Sequence, residues 1–158
     1  MTLQGVRIVK AKHAGGAFSG EGAKRFGGRW NRPGTAMVYT AGSAALAILE
    51  MLVQLHAHEL MNRYVLFEVT FDDSLVTALD PATLPRNWRR SPPPASVQHI
   101  GEAWVAGASS AVLRVPSTIV PAEWNYLLNP AHGDFGAIKI GPRQAVRFDP
   151  RLIRTPVL

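Results

Sequence analysis

The sequence predicts an α+β fold with a largely antiparallel sheet, or two small sheets, and a few helices. Three observations predict it. Short β-type runs are spread along the chain, two segments carry helical character, and the two types never alternate as a regular βαβ repeat. At 158 residues the chain has the length of one domain, 1–158, around one core.

The elements follow in order. Val6-Arg7-Ile8-Val9 reads as a short strand. Residues 12–34 read as a loop holding seven glycines, which argues for tight turns and close backbone approach to something. A long irregular segment of this kind in a compact domain is more often functional than structural. AMVYT, residues 36–40, is a strand candidate. Ser43 is placed to cap a helix running from Ala44 to about His58, a stretch without Gly or Pro. RYVLFEVTF, 63–71, reads as a strand, and 80–94 as a proline-rich loop. Residues 95–106 suggest a second helix, amphipathic around Val97, Ile100, Ala103 and Trp104. Strands are expected at 110–115 and 125–128. Segments 137–140 and 145–148 flank Gly141-Pro142 and suggest a hairpin.

Composition bounds the function. Lys and Arg outnumber Asp and Glu by 17 to 11, for a net charge of +6. Such a charge favours anionic partners: nucleic acid, a phosphorylated cofactor or an acidic protein surface. The basic residues are dispersed. The densest group, Arg86, Arg89 and Arg90, lies in a loop beside Trp88. A nucleic-acid-binding or nuclease-type protein is therefore the alternative reading, without a zinc-finger spacing or a basic run to support it. There is no cysteine, which fits a cytosolic protein and excludes disulfides and thiolate metal sites. The N-terminus reads as lacking a signal peptide, and no apolar run has the length of a membrane span.

The chemistry-bearing residues concentrate between Gly20 and Gln54. Glu50 is the one charged residue of 44–53, with Leu46, Ala47, Val53 and Gln54 as helix neighbours. It is either an exposed acid on a narrow polar stripe or a carboxylate aimed into a cleft. In a cleft it would bond a sugar hydroxyl and stabilise positive charge developing on the ring. Arg29 follows two glycines in GGRWN. It is either a surface cation packed over Trp30 or a fork for a phosphate or carboxylate. Tyr39 is a half-buried sheet residue or a ring that stacks on a planar ligand. Ser117, after Pro116, satisfies a turn or positions a ribose or amide. Asn125 and Asn129 bracket a strand as turn or cap residues, and His132 is a loop histidine that either touches a ligand or, as such residues usually are, is simply exposed.

Other constellations fail on spacing. GAKRFGG is not followed by the Lys-Ser/Thr of a phosphate-binding P-loop, and GGAFSGEG lacks a strand–helix frame. His56 and His58 point to different helix faces, and neither HExxH nor GxSxG occurs. No metal site is expected.

Taken together, GGRWNRPGTAMVYTAGSAALAILE, LRVPS and NYLLNPAHGDF resemble the RES domain family, over most of the chain from Ser19 to His132. The family is named for an Arg, a Glu and a Ser, which match Arg29, Glu50 and Ser117. Ala41 stands where the motif more often has Ser. The resemblance implies a fold like that of ADP-ribosyltransferases of the diphtheria-toxin type. It implies the toxin half of a bacterial toxin–antitoxin pair, partnered by an Xre-like antitoxin that covers the active site. It also implies consumption of NAD+ as substrate, with ADP-ribose passing to a protein, to water or to phosphate. On that resemblance Arg29, Tyr39, Glu50 and Ser117 are the catalytic set. Ser19, Asn31 and Asn125 join Arg29 and Tyr39 as NAD+ contacts. Neither a membrane nor a direct nucleic-acid partner is implied.

Overall fold

A computed structural model describes residues 1–56, 58–59 and 62–152. Strand β1 (Thr2–Lys10) pairs along its whole length with β3 (Tyr64–Asp72), antiparallel, from Thr2 opposite Asp72 to Lys10 opposite Tyr64. It is longer than the four residues its sequence suggests, because β3 supplies a nine-residue template. Strand β2 (Val38–Ala41) lies on the other side of β1 and pairs with β6 (Trp124–Leu128), which in turn pairs with β5 (Val112–Pro116).

With β4 (Val76–Ala78) and β7 (Lys139–Ile140) at its edges, the outcome is one sheet in the order β4-β5-β6-β2-β1-β3-β7 rather than two small ones. Only β4 (Val76–Ala78) against β5 is parallel among the described strands. Sequence does not reveal β4. Three residues between an Asp-Asp turn and Leu-Asp-Pro carry no alternation, and the strand exists because β5 offers it an edge. The expected hairpin about Gly141-Pro142 is corrected. Strands β7 (Lys139–Ile140) and β8 (Gln144–Val146) both pair with β3, not with each other. The free edge of the long β3 outcompetes a two-strand ribbon, which is marginal by itself.

The glycine-rich loop is partly regular. It holds a 3₁₀ turn (Ala11–Gly16), a short helix α1 (Glu21–Phe26) and an isolated bridge between Gly28 and Asn31. Helix α2 (Ala44–Gln54) starts as expected, with the Ser43 hydroxyl accepting the Leu46 N–H at 3.1 Å. It ends at Gln54, short of the expected His58, and Leu55 turns to extended backbone; Ala57 lies outside the described residues. Leu46 and Ala47 bury α2 against Val6, Ala41 and Leu66 of the sheet.

Helix α3 (Ala95–Gly107) crosses from β4 to β5 and covers Leu113, Val115 and Leu127 through Val97 and Trp104. Its buried stripe includes Gly101, while Ala103, expected to face inward, is exposed. The reason is contact with Trp30, which is 2 % exposed and fills the space in front of Gly101. No described helix is long and apolar enough to cross a membrane.

Candidate active site

A cavity of about 650 Å³ opens between α2, the sheet face and the GGRW turn, a size typical of small-molecule sites. Arg7, Arg29, Tyr39, Glu50, Arg89 and Asn125 are among the residues lining it.

Glu50 projects from the middle of α2. Its Oε2 accepts the Ser117 hydroxyl at 2.9 Å, and its Oε1 accepts the Asn125 Nδ2–H at 2.9 Å. The register explains the convergence. Asn125 sits opposite both Ala41 and Val115, and Ser117 follows β5 by one residue. The Ser117 oxygen also accepts the Ile119 and Val120 N–H groups, both at 3.2 Å. Its lone pairs are used, so its proton points at Glu50. Asn125 is likewise oriented by a second bond, to the Thr40 carbonyl at 3.2 Å. The exposed-stripe alternative for Glu50 is thereby set aside: the carboxylate is half-buried and held by two neutral donors.

Burial raises the Glu50 pKa above the ordinary carboxylate range. The Asn125 and Ser117 bonds pull it back, and the charge of Glu123 adds to the rise. No cation forms an ion pair with it among the described residues. An oriented, partly desolvated carboxylate without a counter-ion attracts a cation that forms beside it.

Tyr39 turns its hydroxyl away from solvent. It donates to Asn31 Oδ1 at 2.5 Å and accepts the Trp30 N–H at 3.0 Å. Burial pushes its pKa up, so it stays a neutral phenol. The approach is possible because residue 28 is glycine: a Cβ there would lie 2.6 Å from the Tyr39 oxygen.

Asn31 is fully buried, and its Nδ2 donates to the carbonyls of Ala23, Arg32 and Thr35 at 2.9 to 3.1 Å. Its hydrogen-bonding capacity is spent inside the protein, so it builds the turn under Tyr39 rather than opening into the cavity. Gln98 of α3 adds bonds to the Gly28 and Asn31 carbonyls.

Arg29 does not pack over Trp30, which is core. Its Nη1 donates to the Trp88 and Arg90 carbonyls, at 3.2 and 2.5 Å, and ties the proline-rich loop to the GGRW turn. Burial lowers its pKa, and the remaining nitrogens border the cavity. Arg89, from the same loop, donates its Nε–H to the Thr118 carbonyl at 2.9 Å.

Ser19 lies outside this cavity. Its hydroxyl donates to the Gly16 carbonyl at 2.9 Å and accepts the Glu21 N–H at 3.2 Å. His132 also lies elsewhere: its Nδ1 accepts the Asp134 N–H, so its Nε2–H donates to Ala108 at 2.9 Å.

Arg7 was not singled out in sequence, yet it stands in the cavity wall. It points from β1 beneath Tyr39, with Nε donating to the Ala17 carbonyl at 2.6 Å and Nη1 to the Tyr39 carbonyl at 2.9 Å. No carboxylate pairs with it among the described residues. Burial pushes its pKa down to about 10, which leaves it charged at neutral pH. The available signal was a lone cation inside the strand Val6-Arg7-Ile8-Val9, where a hydrophobic strand has no structural use for one.

A single mixed sheet, a cleft sized for a small molecule, an acid with no ion pair among the described residues at one side and a half-buried cation at another describe an α+β domain built to hold a small ligand. The chain belongs to the RES domain family, whose model matches residues 5–149. It is 41 % identical over 147 residues to "Toxin Res" of Yersinia enterocolitica, covering 92 % of this chain and 97 % of that protein. It is 44 % identical over 141 residues to a "Prs ADP-ribosylating toxin" of a Sphingobium species, covering 87 % of each. In fold it is similar to a chain of the M. tuberculosis MbcT-MbcA toxin-antitoxin complex, with a TM-score of 0.78 and 23 % identity over 96 % of this chain and 87 % of that one.

Proposed function

We propose that this protein is the toxin of a bacterial toxin–antitoxin pair, and that it consumes NAD+ in the cytoplasm. The observation that carries the reading is Glu50: an acid with two oriented donors and no ion pair among the described residues, in a cavity of dinucleotide-binding size. The two curated relatives compared above are named as toxins, one of them ADP-ribosylating, which supports it.

In this reading chain 1–158 acts as one catalytic domain. The nicotinamide riboside end lies beside Glu50, with the Tyr39 ring as stacking surface. Arg7 and Arg29 face the diphosphate. The bond between C1′ of the ribose and the nicotinamide nitrogen breaks, and its electron pair leaves with a neutral nicotinamide. The ribose becomes oxocarbenium-like, and the Glu50 carboxylate stabilises that charge. A protein nucleophile, water or phosphate then bonds to C1′. Ser117 and Asn125 hold Glu50 in place, while Asn31 supports Tyr39 from behind. An Xre-like antitoxin is the expected inhibitor, seated over the cavity mouth. The exposed Leu49 and Val53, 42 % and 61 % accessible on α2 beside Glu50, offer it apolar contact.

The test is incubation of the antitoxin-free protein with adenine-labelled NAD+, with and without bacterial lysate. Free ADP-ribose in buffer identifies a glycohydrolase. Label on a lysate protein identifies a transferase. Absence of NAD+ loss in both, together with salt-sensitive RNA or DNA binding, would replace this reading with the nucleic-acid one.

The carboxylate network predicts a pH effect. Activity needs ionised Glu50, so it falls as pH drops through the raised pKa. Asn125→Ala removes a donor that favours the ionised form. The acid limb of the pH–rate profile is then expected to move to higher pH, because the ionised form has lost a donor. An unmoved limb would assign the titration to another group.

A further inference from the structure

Behind Arg7 lies a second groove of about 960 Å³, which shares Arg7, Gly16 and Gly22 with the candidate active site. Lys12, Lys24 and Arg25 stand on its walls, exposed and without a carboxylate partner among the described residues. Lys10, also on the wall, is paired with Glu59 at 3.6 Å. Among the described residues Glu21 is the one acid lining the groove, and it makes no ion pair with Lys24 or Arg25 on its own helix. Phe26 at the rim is 78 % exposed, with the Arg25 guanidinium 5.8 Å from its ring centre.

We infer that this groove takes the adenosine half of the substrate, that its cations hold a phosphate on the adenosine 2′-oxygen, and that the protein therefore uses NADP+ at least as well as NAD+. The inference rests on the dinucleotide reading of the first cavity. Arg7 sits at the junction, where a diphosphate has one nucleoside on each side. With the nicotinamide riboside beside Glu50, the other nucleoside falls into the basic groove. Phe26 offers the adenine a stacking face. A lone acid there would accept the two hydroxyls of an unphosphorylated ribose. Three unpaired cations around it tip the balance to a phosphate, as an arginine does in dinucleotide sites that accept the 2′-phosphate. The bond that breaks is the same nicotinamide–ribose bond, so the extra phosphate enters recognition and not the chemistry.

The experiment is calorimetric titration with adenosine 2′,5′-bisphosphate, adenosine 3′,5′-bisphosphate and adenosine 5′-monophosphate, alongside rates of NAD+ and NADP+ cleavage. It compares the wild-type protein with K12Q/K24Q/R25Q, whose changes are all on exposed side chains. The 2′,5′-bisphosphate is expected to bind at least tenfold tighter than either other nucleotide. In the triple variant that preference vanishes, and kcat/KM for NADP+ falls at least tenfold while that for NAD+ changes less than threefold.

Equal binding of the two bisphosphates would reduce the groove to general charge attraction and overturn the inference, as would a preference that survives the triple change. NAD+ cleavage without any 2′-phosphate preference overturns this inference alone. A 2′-phosphate preference without cleavage of either dinucleotide keeps the groove's ligand and overturns the catalytic reading.

Discussion

Glu50→Gln is expected to lower NAD+ turnover by about 100- to 1,000-fold, the effect of losing one preorganised electrostatic stabiliser of a transition state. Gln keeps the shape and one acceptor oxygen but has no charge to set against the oxocarbenium. Stability is expected to move little and in a defined direction. Burial raises the folded-state pKa of Glu50 above its unfolded value. Such an acid contributes to stability below the unfolded pKa, and that contribution is lost as pH rises through the folded pKa. At neutral pH the wild-type protein thus carries an ionised carboxylate that burial disfavours, and Gln removes the cost. Against this, the Gln amide NH2 is a donor and faces the Ser117 or Asn125 donor where a carboxylate oxygen accepted, a loss of about 1 kcal/mol. Melting temperatures of variant and wild type should differ by only a few degrees at pH 5, and the variant should gain on the wild type by pH 8. Turnover within tenfold of wild type would remove Glu50 from the chemistry, and collapse of the fold would make it a structural residue.

The largest stability effect is expected from Gly101→Ala. A Cβ on Gly101 would lie 2.0 Å from the Trp30 carbonyl oxygen and 2.9 Å from the Trp30 Cβ. Backbone cannot move aside as a side-chain tip can, so α3 must withdraw from the GGRW turn. Overpacking of this kind costs about 3 kcal/mol, only partly offset by alanine's better helix propensity of about 1 kcal/mol. The net is a drop in melting temperature of roughly 4–8 °C for a domain of this size. Activity should fall further than stability alone dictates, because Trp30 donates its N–H to Tyr39 and Gln98 of α3 holds the Gly28 and Asn31 carbonyls. A melting temperature unchanged within 1 °C would mean that the helix does not press on the turn this closely.

Local signals were legible where they were complete in themselves. The Ser43 cap, the glycine-free run after it and the apolar stripe of 95–106 defined two helices without tertiary help. Short strands were harder. Neither β4 nor the placement of β7 and β8 is written in its own residues, since each exists because another strand leaves an edge free.

The site divides in the same way. Glu50 stood out as a lone acid in an apolar helix, and the family resemblance pointed to Ser117. Their meeting is a matter of sheet register across 67 residues of chain. Asn31, an NAD+ contact on the family resemblance, is fully buried and spends its amide on backbone carbonyls, a placement that only the folded turn reveals. Arg7 escaped because a charged residue in a predicted strand reads as solvent-facing, and only the packing of Ala17 and Tyr39 around it encloses the guanidinium.

The bond between Glu50 and Asn125 spans 75 residues, and it joins a helix made early in synthesis to a strand made late. At ordinary translation rates of 5–20 residues per second, roughly 4–15 s separate the appearance of the two partners. Through that interval the nascent chain carries its acid and its arginines but not the register that aims them. A chain released before the sixth strand lacks Asn125, and with it one of the two donors that orient Glu50. The order in which the chain leaves the ribosome thus makes the aiming of Glu50 a late event, completed only when the sixth strand is free to pair.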